Sequence, residues 1–285
     1  MTILITFALA VAVVADALWL RLLAALVAGG AWLYKRRPRR LPARRRPDLR
    51  AALEKGALDL RYQPIVDLTD GRTAGVEVLP RWHHPGLGWV GPAELLRMAA
   101  EAGLTPLLGA WVLDRSCRQL ASWLADGRDL WISVHAEPAE LESVLYVAGV
   151  AAALTTHRVP AARLVVEVTG PGDSRRVTSQ LAGLRALGVR VALGGTDLGP
   201  STMRQLRRLS VDLVKGSGAA TAVVVTLGRR LGYEVVAEGI GTAEALTAAK
   251  AAGCRYGQGE ALGRAAPAEH VEPLLSYAPP SRRAG

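Results

Sequence analysis

The sequence predicts an α/β chain: a (β/α)8-like barrel with a first antiparallel strand, preceded by an N-terminal transmembrane helix and a basic linker. Three observations carry that expectation. From about residue 55, short β-rich runs alternate with amphipathic stretches of helical period. Those runs are nearly continuous in Val, Leu, Ile and Ala, as strands covered on both faces by crossover helices require. Residues 2–34, by contrast, are apolar apart from threonines, Asp16 and Arg21.

The elements follow in chain order. A bilayer core of about 30 Å takes roughly 20 helical residues, so residues 2–34 suit one tilted or overhanging span. A short hairpin broken near Asp16 is the alternative and stays open. Ala15-Asp16-Ala17 imitates a signal-peptide cleavage site, but no basic segment precedes the apolar stretch. The run KRRPRRLPARRR follows, and Lys and Arg beside a span mark the cytoplasmic side, which predicts the cell (inner) membrane with the barrel in the cytoplasm. Pro38, Pro42 and Pro47 make residues 35–51 a linker. The formal net charge of +10 is concentrated there: Lys35 to Arg50 hold nine basic residues against one acid, Asp48. No broad basic face remains, so nucleic acid is not an expected partner.

The barrel is expected over residues 52–275, with a tail at 276–285. LRYQPIVDL, the turn TDGRT and AGVEVLPRW read as a hairpin, followed by helices at 92–102 and 107–125. Strands are expected at 130–136, 163–169, 190–195, 211–216 and 234–240, with a last strand over CRYGQGEAL (254–262). Cys117 and Cys254 read as buried reduced thiols, Trp82, Trp111 and Trp131 as packing residues, and His83-His84 as a solvated turn. In such barrels chemistry collects at the C-terminal strand ends. Those ends carry Glu77, His135, Glu167, Gly194 with Gly195, Lys215, Glu238 and Gln258. A glutamate inside an apolar strand needs a basic partner, a metal or a solvent-filled cleft, and several on successive strands favour one shared site.

The ordered phrases YQPIVDL, GVEVLPRW with HPG and GW, LVVEVTG, LSVDLVK, LGYEVVAEGI and GCRYGQG resemble the EAL family of cyclic di-GMP phosphodiesterases, with Glu77-Val78-Leu79 in the place of its signature. The resemblance implies hydrolysis of cyclic di-GMP to linear pGpG with two Mg²⁺ or Mn²⁺ ions, which clamp the attacking and leaving oxygens. It also implies metal ligands at Glu77 and Glu167, ligand contacts at Gln63, Glu77, Leu79, Arg81 and Gln258, and catalytic roles for Lys215 and Glu238. The family's Asn is His135 here, and its Asp-Asp pair is Gly194-Gly195. Gly170 replaces another Glu, the following loop reads Thr196-Asp197-Leu198-Gly199, Gly241 replaces a further carboxylate, and the stretch from Lys215 to Glu238 is short for the family.

Glycine offers no side-chain oxygen to a metal, so the losses predict a degenerate member that is not an enzyme and holds no cofactor. His135 with Glu77 and Glu167 suits a transition metal better than Mg²⁺, though a hydrogen-bonded histidine is the plainer reading. The expected role is a membrane-anchored signalling module that binds an unidentified protein. A cyclic di-GMP receptor without turnover is the alternative, and a weakly active phosphodiesterase the remote one. Homodimerisation stays open.

Overall fold

The computed structural model describes residues 49–169, 174–196, 206, 208–218 and 220–277. The anchor at 2–34, the linker up to residue 48, Gly170, and the loop containing Asp197, Leu198 and Gly199 lie outside them. No described helix is long and apolar enough to cross a membrane.

The barrel closes as the alternation predicts. After α1 (Leu49–Glu54), β1 (Leu58–Asp67) and β2 (Thr73–His84) form the antiparallel hairpin, and β3 (Gly88–Val90) adds a short extension to β2. Two helices follow, α2 (Pro92–Glu101) and α3 (Thr105–Ala125). Parallel units then run through β4 (Trp131–Ala136), α4 (Pro138–Leu141), α5 (Tyr146–His157), β5 (Leu164–Thr169), α6 (Arg175–Ala186) and β6 (Arg190–Thr196). They continue with β7 (Leu213–Ser217), α7 (Ala220–Leu231), β8 (Glu234–Glu238), α8 (Ala243–Ala252), β9 (Tyr256–Gly257) and α9 (Ala268–Val271). Hydrogen bonds run around the ring β1, β9, β8, β7, β6, β5, β4, β2 and back to β1. β1 is antiparallel to both its neighbours, and the other pairs of the ring are parallel.

Local chemistry sets the boundaries. The β1–β2 turn is held by Asp67, whose Oδ1 accepts from the Thr69 backbone N–H at 2.9 Å. α2 opens with a proline in its first turn, where a missing N–H costs nothing. Ser174 and Thr242 cap α6 and α8 by accepting from the N–H groups of Val177 and Ala245. Two apolar layers result. A large core lies between sheet and helices, and a smaller one of Ile65, Trp131, Val165, Ala192, Leu213, Val236 and Tyr256 fills the barrel near the starts of the parallel strands.

Two local expectations change. The last strand is only two residues long, because at Gln258 the chain turns to bond Ala237 and Ile240. His84 is not in a solvated turn: β2 continues to it, and it is 1% exposed. Its Nδ1 accepts from the N–H groups of Gly86 and Leu87 at 2.9 and 3.0 Å. The alternation that buries Trp82 carries on to His84, and a strand period of two would have located it. Cys117 and Cys254 are free and buried, as expected, and burial pushes the Cys117 thiol up to about 12.

Candidate functional site

Register brings the polar strand-end residues to one level. Gln63 on β1 pairs with Glu77 on β2, Glu77 pairs with Ser133 on β4, and His135 pairs with Glu167 on β5. Thr169 pairs with Gly194 on β6, and Ser217 on β7 with Glu238 on β8. Side chains alternate along each strand, so Glu77, Leu79 and Arg81 share one face of β2.

Lys215 is the hub. Its Nζ lies 2.8 Å from Glu167 Oε2, 3.0 Å from Glu77 Oε2 and 3.2 Å from Glu238 Oε1. Lys215 and Glu167 are 2% and 3% exposed, so their charges are sustained by each other rather than by water. Burial alone would push the Lys215 ammonium down, but the surrounding carboxylates outweigh it and hold the group protonated. Burial raises the Glu167 carboxyl and the neighbouring Glu77 adds to that, with Lys215 opposing. Glu77 also pays a burial penalty, yet Lys215 and the Gln258 amide hold it below the usual carboxylate range. Among the described residues, three carboxylates surround this one ammonium.

The rest of the site orients this cluster. Gln258 Nε2 donates to Glu77 Oε2 and to Gln63 Oε1, while Gln63 Nε2 donates to the Gly263 carbonyl. Gln258 Oε1 is buried and has no partner among the described residues. Gln63, Glu77, Glu238 and Gln258 line a cleft of about 240 Å³ whose floor includes Gly239, Gly241 and Gly259. Leu79 and Arg81 are not among its lining residues; the Arg81 guanidinium packs beside the Gly91 backbone.

Gly194 explains where Glu167 sits. A Cβ at Gly194 would stand 2.2 Å from Glu167 Oε1, so the missing side chain is the space the Glu167 carboxylate occupies. His135 faces the same carboxylate, its Nδ1 3.9 Å from Glu167 Oε1. Its Nε2 lies 2.8 Å from Thr169 Oγ1. Ser133 and Thr169 were not singled out in the sequence, although Ser133 shares a strand face with His135 and Thr169 ends its strand. The ligand atoms of Glu77, His135 and Glu167 all lie within 4.8 Å of one another. That set fits one cation. It does not fit the two hard cations that the resemblance implies, because Gly194 and Gly195 bring no oxygen to bridge them.

The chain matches the EAL domain profile over residues 46–265. It is 34% identical over 241 residues to the bifunctional diguanylate cyclase/cyclic di-GMP phosphodiesterase MucR of Pseudomonas aeruginosa, covering 79% of this chain and 35% of MucR. A second protein of that organism, named a cyclic di-GMP phosphodiesterase, is 34% identical over 76% of this chain and 40% of its own length. The chain thus spans well under half of each of these relatives. The solved PaMucR phosphodiesterase in complex with c-di-GMP superposes with a TM-score of 0.74 at 34% identity, covering 79% of this chain and 98% of that one. These relatives overturn the expectation that the chain is not an enzyme: proteins similar to it over the whole barrel are named phosphodiesterases, and substituted ligands alone do not establish inactivity. By profile, identity and fold, this chain belongs to the EAL domain family and is related to cyclic di-GMP phosphodiesterases.

Proposed function

We propose that the chain binds cyclic di-GMP in the strand-end cleft and hydrolyses it slowly to the linear dinucleotide. One observation carries this reading: Gln63, Glu77, Glu238 and Gln258 line one cleft, with Lys215 buried behind it and ion-paired to Glu77 and Glu238, in a chain 34% identical to a phosphodiesterase. The amides of Gln63 and Gln258 offer neutral donors and acceptors to the dinucleotide. Glu238, whose side chain is 31% exposed, is the carboxylate open to take a proton from an attacking water. Lys215, held charged 3.2 Å from Glu238, supplies positive charge to favour the anionic transition state. A divalent cation, when bound by Glu77, His135 and Glu167, supplies Lewis-acid polarisation of a phosphate oxygen. The slow rate follows from the missing bridging carboxylates at Gly194 and Gly195 and from the repulsion of a dianion by Glu77, Glu167 and Glu238. We further place the protein at the cell membrane through residues 2–34, with the barrel in the cytoplasm, on the apolar run and the basic segment that follows it.

The test is incubation of the full chain with labelled cyclic di-GMP, reading bound ligand by calorimetry and linear product by chromatography. Saturable binding with product that disappears in Glu238→Gln is expected. Absence of binding, or binding with no product over the background of Glu238→Gln, overturns the reading.

A further inference from the structure

The mismatch between this cluster and a pair of hard cations has a positive side. We infer that Glu77, His135 and Glu167 form a site for a single transition-metal ion of the Zn²⁺ or Co²⁺ type, with Mg²⁺ bound far more weakly.

The donor chemistry carries this. Mg²⁺ demands near-octahedral oxygen ligation, whereas an imidazole with two carboxylates and one water is a tetrahedral set suited to Zn²⁺. His135 is held ready for that role. Its Nε2 is 2.8 Å from Thr169 Oγ1, a hydroxyl that can accept the ring proton in the Nε2–H tautomer, while Glu137 Oε1 at 3.8 Å is beyond hydrogen-bond reach. In that tautomer the Nδ1 lone pair faces Glu167, 3.9 Å from its Oε1. A metal-binding histidine is oriented in just this way, by a hydrogen bond from its other nitrogen.

The carboxylates divide their oxygens to match. Oε2 of Glu167 accepts from Lys215 and from Ser133 Oγ, while its Oε1 turns toward His135. Oε2 of Glu77 is taken by Lys215 and Gln258, leaving Oε1 for a cation. Beside Glu77, Gln258 lines the cleft with a buried Oε1 that has no partner among the described residues and can accept from a donor such as a coordinated water. Gly194 completes the arrangement by giving Glu167 the room to approach His135.

The full chain, freed of metal, is titrated with Zn²⁺, Co²⁺ and Mg²⁺ without nucleotide, so that the outcome is separate from cyclic di-GMP binding and turnover. One equivalent of Zn²⁺ should bind at least about 100-fold more tightly than Mg²⁺, and Co²⁺ should give the intense visible bands of a tetrahedral site. His135→Asn should weaken Zn²⁺ by about 100-fold and leave Mg²⁺ unchanged, while Thr169→Val should weaken Zn²⁺ by about 10-fold. His83, His84, His157 and His270 are also present, which makes the variants decisive. Equal affinity for Zn²⁺ and Mg²⁺ in the unaltered chain overturns the assignment whether or not a variant folds. So does a Zn²⁺ site that survives His135→Asn at full strength.

Discussion

The two mouths of this barrel handle charge in opposite ways. At the mouth formed by the starts of the parallel strands, Trp131 and Tyr256 meet edge to face with ring centroids 5.9 Å apart, and arginines pair outward with acids. Arg163 bonds Asp129 at 2.6 Å, Arg255 bonds Asp67 at 2.8 Å, and Arg190 lies over the Trp131 ring. Gly75 makes the seal possible, because a Cβ there would stand 2.4 Å from the Trp131 ring. At the other mouth, three carboxylates share one buried lysine and an amide oxygen goes unpartnered. One mouth is saturated, with each charge answered by another at the surface. The other, among the described residues, gathers carboxylates around a single buried ammonium, and this excess of acid is the ground on which a cation site is proposed there.

The contrast breaks most severely at Lys215. Lys215→Met would leave Glu77 and Glu167 without their cation, and removing one partner of a buried ion pair costs about 3–5 kcal/mol. Urea unfolding at pH 7 should show that loss. It should shrink toward pH 5, because the orphaned carboxylates then have pKa values raised above their unfolded ones and protonate in the folded state. A variant as stable as the parent at pH 7 would mean that the cluster is not buried charge at all.

Gly194→Asp comes next. Its Cβ would collide with the Glu167 carboxylate, which must leave its place beside His135 and Lys215. Overpacking of this kind costs about 1–3 kcal/mol in the metal-free chain. Adding Glu167→Ala should recover most of the loss by removing the clashing group, and a double-mutant cycle of thermal melts measures the coupling. Additive single and double effects would show that the space at Gly194 is not what positions Glu167.

Much of this was legible in the residues. A barrel strand end is a fixed address, so Glu77, Glu167, Lys215, Glu238 and Gln258 could be assigned to one mouth before any contact was known. The hairpin was readable too, from Asp70-Gly71 between alternating runs. What the order of residues does not contain is how a vacancy is refilled. Gly194 reads as a loss, and only in space does it become the room for Glu167. Arg81 was assigned a ligand contact by its position in a recognised phrase, and its guanidinium packs beside the Gly91 backbone. His84 was misjudged because a polar residue at a strand end resembles a turn, and its two backbone donors lie on the hairpin that follows.

His84 extends the contrast to pH. Burial holds its pKa below the ordinary 6.5, and its Nδ1 already accepts two backbone N–H groups, so a proton there would face both donors. The folded state therefore resists a proton that the unfolded state takes up, and stability present above pH 6.5 is lost as pH falls below it. For one proton the slope reaches at most about 1.4 kcal/mol per pH unit. Unfolding followed from pH 7.5 to 5.5 should show this slope in the parent and lose part of it in His84→Gln. An identical profile in the two proteins would assign the acid sensitivity to the carboxylate cluster instead.

The smallest effect belongs to the saturated mouth. Arg163 and Asp129 form a short ion pair, but both side chains are more than a third exposed, so water and salt screen them. Arg163→Ala should cost about 0–1 kcal/mol, and raising ionic strength should erase most of that difference. Arg163 also reaches the Leu130 carbonyl at 3.5 Å, too long to add much. The same salt titration applied to Lys215→Met should leave its larger loss almost intact, since counter-ions do not reach a group that is 2% exposed. Parallel salt responses in the two variants would erase the distinction between the mouths; divergent responses would show that the charge at the Lys215 mouth is buried from solvent and that at the Arg163 mouth is not.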